Sequence, residues 1–180
     1  MDDRIVLGSG KLYILEFIKD EPLPSNAEIE EDDHLLGYIQ GGCSLEYKPS
    51  YYTAKDDLGY AQKTIMTEED VTMKSGVMTW NGNTLERICS TARVTETPTT
   101  RTVKIGGAGN QTGKKYVLHF HHKDDVDGDI RVRIIGSNQA GFTLSFLKDK
   151  ETVIDAEFKA HPMDGEGTLI YFEEQIKKSS

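Results

Sequence analysis

Only two cysteines and one tryptophan occur in 180 residues, and no apolar run approaches the roughly 20 residues that a membrane-crossing helix needs. Cys43 and Cys89 lie far apart and show no metal-ligand spacing, which argues against a disulfide-stapled fold or a zinc module. Two reduced, mostly buried thiols are the expectation. Basic residues are also scarce. With 21 Lys and Arg against 30 Asp and Glu, the formal charge of -9 disfavours adsorption to nucleic-acid phosphate and to anionic membrane surfaces. The opening "MDDR" lacks the basic-then-apolar pattern of a signal peptide, so the expectation is a protein made and used without export through one.

Catalytic signatures are missing as well. There is no Gly-x-Ser-x-Gly elbow, no cysteine-histidine pair with a supporting acid, and no His-Glu-x-x-His. The stretch "AGNQTGK" at residues 108–114 comes close to a phosphate-binding loop. However, Lys115 stands where a magnesium-binding hydroxyl is needed, and Tyr116, Leu118 and Phe120 then alternate with Val117, His119 and His121 as a strand does. Without a helix there is no dipole to hold phosphate, so a hairpin or surface loop is expected. "GSGK" at residues 8–11 is weaker still, being followed by another strand. His119 and His121 share a strand face and His122 takes the opposite one, but two histidines do not make a metal site. "DDVDGD" lacks the first and last ligands of a calcium loop and reads as a turn through residues 126–129. No enzyme activity, metal or cofactor is expected.

What the sequence does contain is strand patterning. Residues 11–17 read as a short strand, and the acidic, proline-bearing stretch 19–34 as a solvated loop. From Tyr38 to Trp80 the pattern is extended, with Val71, Met73, Ser75 and Val77 on one face and Asp70, Thr72 and Lys74 on the other. A long hairpin follows, with a polar, tyrosine-bearing tip bounded by Pro49 and Gly59. Residues 83–93 give a helix: Asn83 as N-cap, Glu86 completing a capping box, and Leu85, Ile88, Cys89 and Ala92 as its apolar stripe. Six further strands are read at "RTVKI", "KKYVLHFHH", "DIRVRII", "GFTLSFL", "ETVIDAEFKA" and "TLIYFEE". In the fifth, Ile154, Ala156, Phe158 and Ala160 form an apolar face opposite Val153, Asp155, Glu157 and Lys159. With no internal repeat, residues 1–180 are expected to form one mainly β domain, an antiparallel core with one packed helix.

The hairpin beginning "LLGYIQGGCSLEYKP", the passage "GVMTWNGNTLERICSTARV" and the closing "NQAGFTLSFLKDKETVIDAEFKAHPMDGEGTLIYFEE" together resemble the tail tube proteins of tailed bacteriophages that infect Gram-positive bacteria. The resemblance implies the phage tail tube fold, an antiparallel β-sandwich or partial barrel with one flanking helix, and a structural role. Hexameric rings of the protein would stack into a hollow tube that conducts DNA during ejection. It also implies partners: further copies of the chain, tail tip or baseplate and tail terminator proteins, a tape measure protein inside the tube, and DNA in transit without tight binding. The place would be the tail of the virion, after assembly in the bacterial cytoplasm.

Within that resemblance, residues 48–60 match a protruding hairpin loop that reaches a neighbouring subunit, and Tyr47, Tyr51, Tyr52, Lys55, Asp56, Asp57 and Tyr60 become candidates for subunit and ring contacts. Glu46, Glu68, Asp70 and Thr72 become candidates for the tube lining, where acidic and neutral side chains repel phosphate, with Lys48 and Lys74 close by in sequence. Competing readings are a β-sandwich binding module or tail-associated adhesin, and the tube subunit of a phage-like contractile injection system.

Overall fold

The computed structural model describes residues 5–177, so the "MDDR" opening lies outside the described residues. The chain is mainly β, and its principal element is an antiparallel sheet of eight strands. In chain order these are β1 (Lys11–Glu16), β2 (Leu35–Gly37), β3 (Ile39–Lys55), β4 (Gln62–Val77), β7 (Tyr116–His122), β8 (Ile130–Asn138), β9 (Ile154–His161) and β10 (Tyr171–Glu174). They lie in the order β2-β1-β7-β8-β9-β4-β3, with β10 also paired to β8. A separate two-stranded ribbon is made by β5 (Arg93–Glu96) and β6 (Arg101–Lys104).

The two ends of that strand order meet in one piece of chain. Only Tyr38 separates β2, which pairs with β1, from β3, which pairs with β4, so the sheet curls round on itself. This is nearer to the partial barrel than to the sandwich of the sequence expectation. Closure depends on close backbone approach: a Cβ on Gly37 would stand 2.2 Å from the Thr79 carbonyl oxygen. Just beyond, Gly41 and Gly42 both adopt positive φ and make the bulge between Gln40 and Cys43, which turns β3 away from the curl.

The concave side holds the main core. Leu12 and Ile14, Val71, Met73 and Val77, Leu118, Ile134, and Ile154, Ala156 and Phe158 are buried together there. The alternation read in β4 and β9 is therefore the alternation of the structure, with Ser75 buried among the apolar residues and donating to the Gly42 carbonyl. Removing some ten such side chains from water is the main driving force for the curl. Cys43 and Cys89 are both free and half-buried, and burial pushes the Cys43 thiol up to about 11.

Four expectations are corrected. The helix is α2 (Gly82–Ile88), shorter than 83–93. Its N-cap is Asn81 rather than Asn83, with Thr84 in place of Glu86 closing the capping box, and Cys89 already extended. Leu85 and Ile88 still face the core, while Ala92 is buried beyond the helix end. The acidic stretch 19–34 is not a bare loop: α1 (Asn26–Ile29), with its own Ser25–Glu28 capping box, and a 3-10 turn (Asp32–His34) lie within it. So the described residues hold a second short helix. "GFTLSFL" forms no strand, because Phe142 and Leu144 pack against the core without a ladder partner. Finally, residues 48–55 are not loop but strand, and the turn between β3 and β4 is only residues 56–61.

Candidate functional site: a two-stranded arm and a charged sheet face

β9 pairs with β4 only over Thr72–Val77, whereas β3 and β4 remain paired with each other out to Lys55 and Gln62. Beyond Val71 the hairpin continues alone as an arm. At about 3.3 Å per residue, the span from Lys48 to Lys55 adds roughly 25 Å to the body. From Tyr51 to Glu69 every residue is exposed, on both faces of the ribbon.

The register determines what each face carries. On the face continuous with the core, Tyr47 lies opposite Val71 and Tyr51 opposite Met66. On the other, Glu46 lies opposite Thr72, Lys48 opposite Asp70, Ser50 opposite Glu68 and Tyr52 opposite Ile65. The register shift falls between Ser50 and Tyr51, where Thr67 is the extra residue and its hydroxyl donates to the Ser50 carbonyl oxygen at 3.2 Å. That shift brings Ile65 to the polar face and Met66 to the apolar one.

The tip is a closed turn. Asp56 accepts from the Ala61 amide through Oδ1 at 2.7 Å, and the Asp56 amide donates to the Ala61 carbonyl at 3.1 Å. Leu58 and Tyr60 stand 77% and 88% exposed there, further out than any other large apolar or aromatic side chain of the arm. Of the seven contact candidates, Tyr47, Tyr51, Tyr52 and Lys55 therefore sit on β3, and Asp56, Asp57 and Tyr60 in the turn. Tyr47 donates to Glu69 Oε1 at 2.7 Å, and that carboxylate raises the Tyr47 phenol above its ordinary value.

All four lining candidates share one face. Glu46, Glu68, Asp70 and Thr72 line up with Asp155, Glu157 and Lys159 of β9 across the β3-β4-β9 part of the sheet. Lys48, Lys74 and Lys159 thread through these carboxylates: Lys159 meets Asp70 at 2.8 Å, Lys74 meets Glu157 at 3.1 Å and Lys48 meets Glu46 at 3.4 Å. Each pair is exposed to water and stabilises the fold little. With Glu46, Glu68, Asp70, Asp155 and Glu157 against those three lysines, the face stays acidic. Asp70 holds the Lys159 ammonium above its usual range.

Elsewhere, the glycine-rich stretch 105–115 joins the small ribbon to β7 as a surface loop with one 3-10 turn (Ala108–Asn110). Lys114 is turned back onto Glu16 at 2.8 Å, and no helix follows. The "DDVDGD" stretch is the β7-β8 turn, where Asp124 Oδ1 accepts from the amides of Val126 and Asp127.

A second polar assembly escaped the sequence reading. His119, buried on the convex face, meets Glu30 Oε1 through Nε2 at 2.9 Å, and its Nδ1 accepts from Arg133 Nε at 3.2 Å. His121 faces Glu30 through Nδ1 at 3.2 Å and Asp129 through Nε2 at 2.9 Å. Arg131 Nε donates to Glu30 Oε1 at 2.5 Å. His122 points to the other side, against the Ser9 carbonyl oxygen. Burial, partly offset by the Glu30 hydrogen bond and reinforced by the Arg133 charge, pushes His119 down to about 4. Arg131, His119 and His121 hold Glu30 below the usual carboxylate range against the effect of its burial. Because the Arg131 guanidinium and the two imidazoles already occupy the Glu30 oxygens, the cluster is a closed polar network. Among the described residues no group of three or more His, Cys, Asp or Glu side chains is arranged to hold a metal ion. The Ser25-x-x-Glu28 capping box was the available signal for α1, but the contact of Glu30 with a histidine 89 positions away carried none.

No protein-family model and no curated protein matches the chain.

Proposed function

We propose that this protein is the structural subunit of a bacteriophage tail tube, with hexameric rings stacking into a hollow conduit for DNA and no catalytic chemistry of its own. The observation that carries this reading is the arm: a long antiparallel ribbon exposed on both faces. The outer edge of β3 and the β4 edge beyond Val71 have no ladder partner within the described chain. A two-stranded ribbon is marginal in water on its own, and free edges of this length invite another strand. Since β3 and β4 run antiparallel, the β3 edge of one copy can add to the β4 edge of the next. That head-to-tail contact closes into a ring when the rotation between copies is constant.

In such a ring the Glu46–Glu68–Asp70–Thr72 face lines the bore. Its acidic excess repels the phosphates of passing DNA, while Lys48, Lys74 and Lys159 are occupied by neighbouring carboxylates. The tyrosines of the arm and the turn at residues 56–61 become buried against neighbouring copies. Tail tip, terminator and tape measure proteins are the partners of such a tube, and the virion tail its place.

Negative-stain electron microscopy of the purified chain across a concentration series, with and without a tail-tip initiator, tests the proposal. Rings or hollow tubes are expected. Strictly monomeric particles at the highest concentration, even with the initiator, overturn it in favour of a binding module that uses the arm for a ligand.

A further inference from the structure

We propose that residues 24–30 form a proton-operated strap, locked across the convex face of β1, β7 and β8 at neutral pH and released when His119 gains a proton. The strap is fixed at three points. Ile29, fully buried, inserts between Tyr13, Val117 and Ile135. At the back, Glu30 is gripped by Arg131, His119 and His121. At the front, Arg133 donates to the Pro24 carbonyl at 2.9 Å and to Asn26 Oδ1 at 3.0 Å, while Asn26 itself donates to Glu173 at 2.8 Å.

His119 connects the front to the back. Arg133 can only donate, so His119 Nδ1 must be the acceptor and the ring hydrogen sits on Nε2, where it is given to Glu30. The neutral ring thus satisfies both partners at once. A proton added at Nδ1 would set N–H against N–H and bring two positive charges together in a site closed to water. Arginine cannot yield by losing its own proton, so the guanidinium has to turn away. Pro24 and Asn26 then lose their donor, and the front of the strap is freed.

The other groups around the ring do not take over this role. Tyr13 and Lys11 approach from β1, His121 from β7, and Arg131 with Asp129 from β8 and its preceding turn; Tyr171 and Glu173 come from β10, and Asp32 from the turn after α1. Glu30, Asp129 and Glu173 are already shared with Arg131, and Glu30 meets the ring at Nε2, so no carboxylate accepts the new proton at Nδ1. With the front freed and Glu30 still held, residues 24–28 lift and open the edge of the apolar contact among Ile29, Tyr13, Val117 and Ile135, which gives the convex face an acid-dependent surface.

Hydrogen–deuterium exchange of the full chain between pH 7 and about pH 4, corrected for intrinsic rates, reads the strap directly. Peptides covering residues 18–34 are expected to lose about tenfold protection on acidification while those covering β9 keep theirs. The His119→Gln variant, whose amide can donate to Glu30 and accept from Arg133 without titrating, should hold its protection at both ends of the range. Histidine NMR of the wild type provides a check independent of any variant, since the His119 ring should titrate together with strap opening. Loss of protection in β9 at the same pH as in the strap, an unchanged acid response in His119→Gln, or a His119 titration with no accompanying opening would each overturn the proposal.

Discussion

The convex face under α1 and the arm at the end of the hairpin are surfaces of the same sheet, treated in opposite ways. Over β1, β7 and β8 the chain uses residues 17–35 to cover Tyr13, Val117 and Ile135, and joins the cover to the strands through a closed polar network. Over the distal half of β3 and β4 no described segment forms a cover, and Tyr51, Tyr52, Ile65 and Met66 there stand 46–60% exposed. Cost does not explain the contrast, since a one-turn helix and a few polar contacts suffice for the first surface. In the proposed tube, neighbouring copies of the chain would supply the cover that the arm lacks.

The comparison can be broken at its covered side first. Ile29→Ala removes the only fully buried side chain of α1, and should cost about 2–5 kcal/mol in a denaturant titration, most of it through loosening of residues 18–34. An effect below 1 kcal/mol would mean that the strap adds little to the fold.

Acid gives the next largest effect. The folded-state pKa of His119 lies near 4, below the ordinary value near 6.5, so its contribution is fully present above about pH 6.5 and is lost as pH falls towards 4. The loss amounts to at most about 3 kcal/mol, in the same direction as that from Glu30, whose lowered pKa also favours the fold at neutral pH. Thermal melts across this range should show the decline in the wild type and a shallower one in His119→Gln.

The arm should give the smallest effect on stability and the largest on assembly. Tyr51→Ala is expected to change stability by no more than about 0.5 kcal/mol, because the side chain has lost little water to begin with. Deleting residues 51–58 should leave the body folded by circular dichroism and abolish tubes. Normal tubes from that deletion would remove the arm from the assembly contact.

Much of the body was legible in the sequence because it depends on short-range pattern. The alternation of Ile154, Ala156 and Phe158 against Asp155, Glu157 and Lys159 identified β9 and its buried face together, and Val71, Met73 and Val77 did the same for β4. Where a pattern had two uses, sequence reading chose wrongly. Phe142 and Leu144 alternate like strand residues, yet they fill the end of the core from a segment that no neighbouring edge receives. The helix was read too long because Cys89 and Ala92 continue the apolar stripe, although the backbone is already extended at Cys89. Glu68, Asp70 and Thr72 share a face of β4 as their spacing of two required and the register adds Glu46 to it, whereas the residue slipped in at Thr67 was invisible, since a bulge leaves no mark in hydrophobicity. The clasp around Glu30 lay out of reach for a different reason: its members come from α1, β7, β8 and β10 and meet only through the fold.

The single residue between β2 and β3 makes the closing strand of the curl and the leading strand of the arm one mechanical member. A pull on the arm along its length is passed through Tyr38 into the β1-β2 seam, and through β4 it loads the β4-β9 ladder in shear. Antiparallel hydrogen bonds lie across the strands, so a shear load is shared by the whole ladder instead of opening one bond at a time. The arm is thereby anchored as a tensile element, suited to bearing axial force without unzipping the body that carries it.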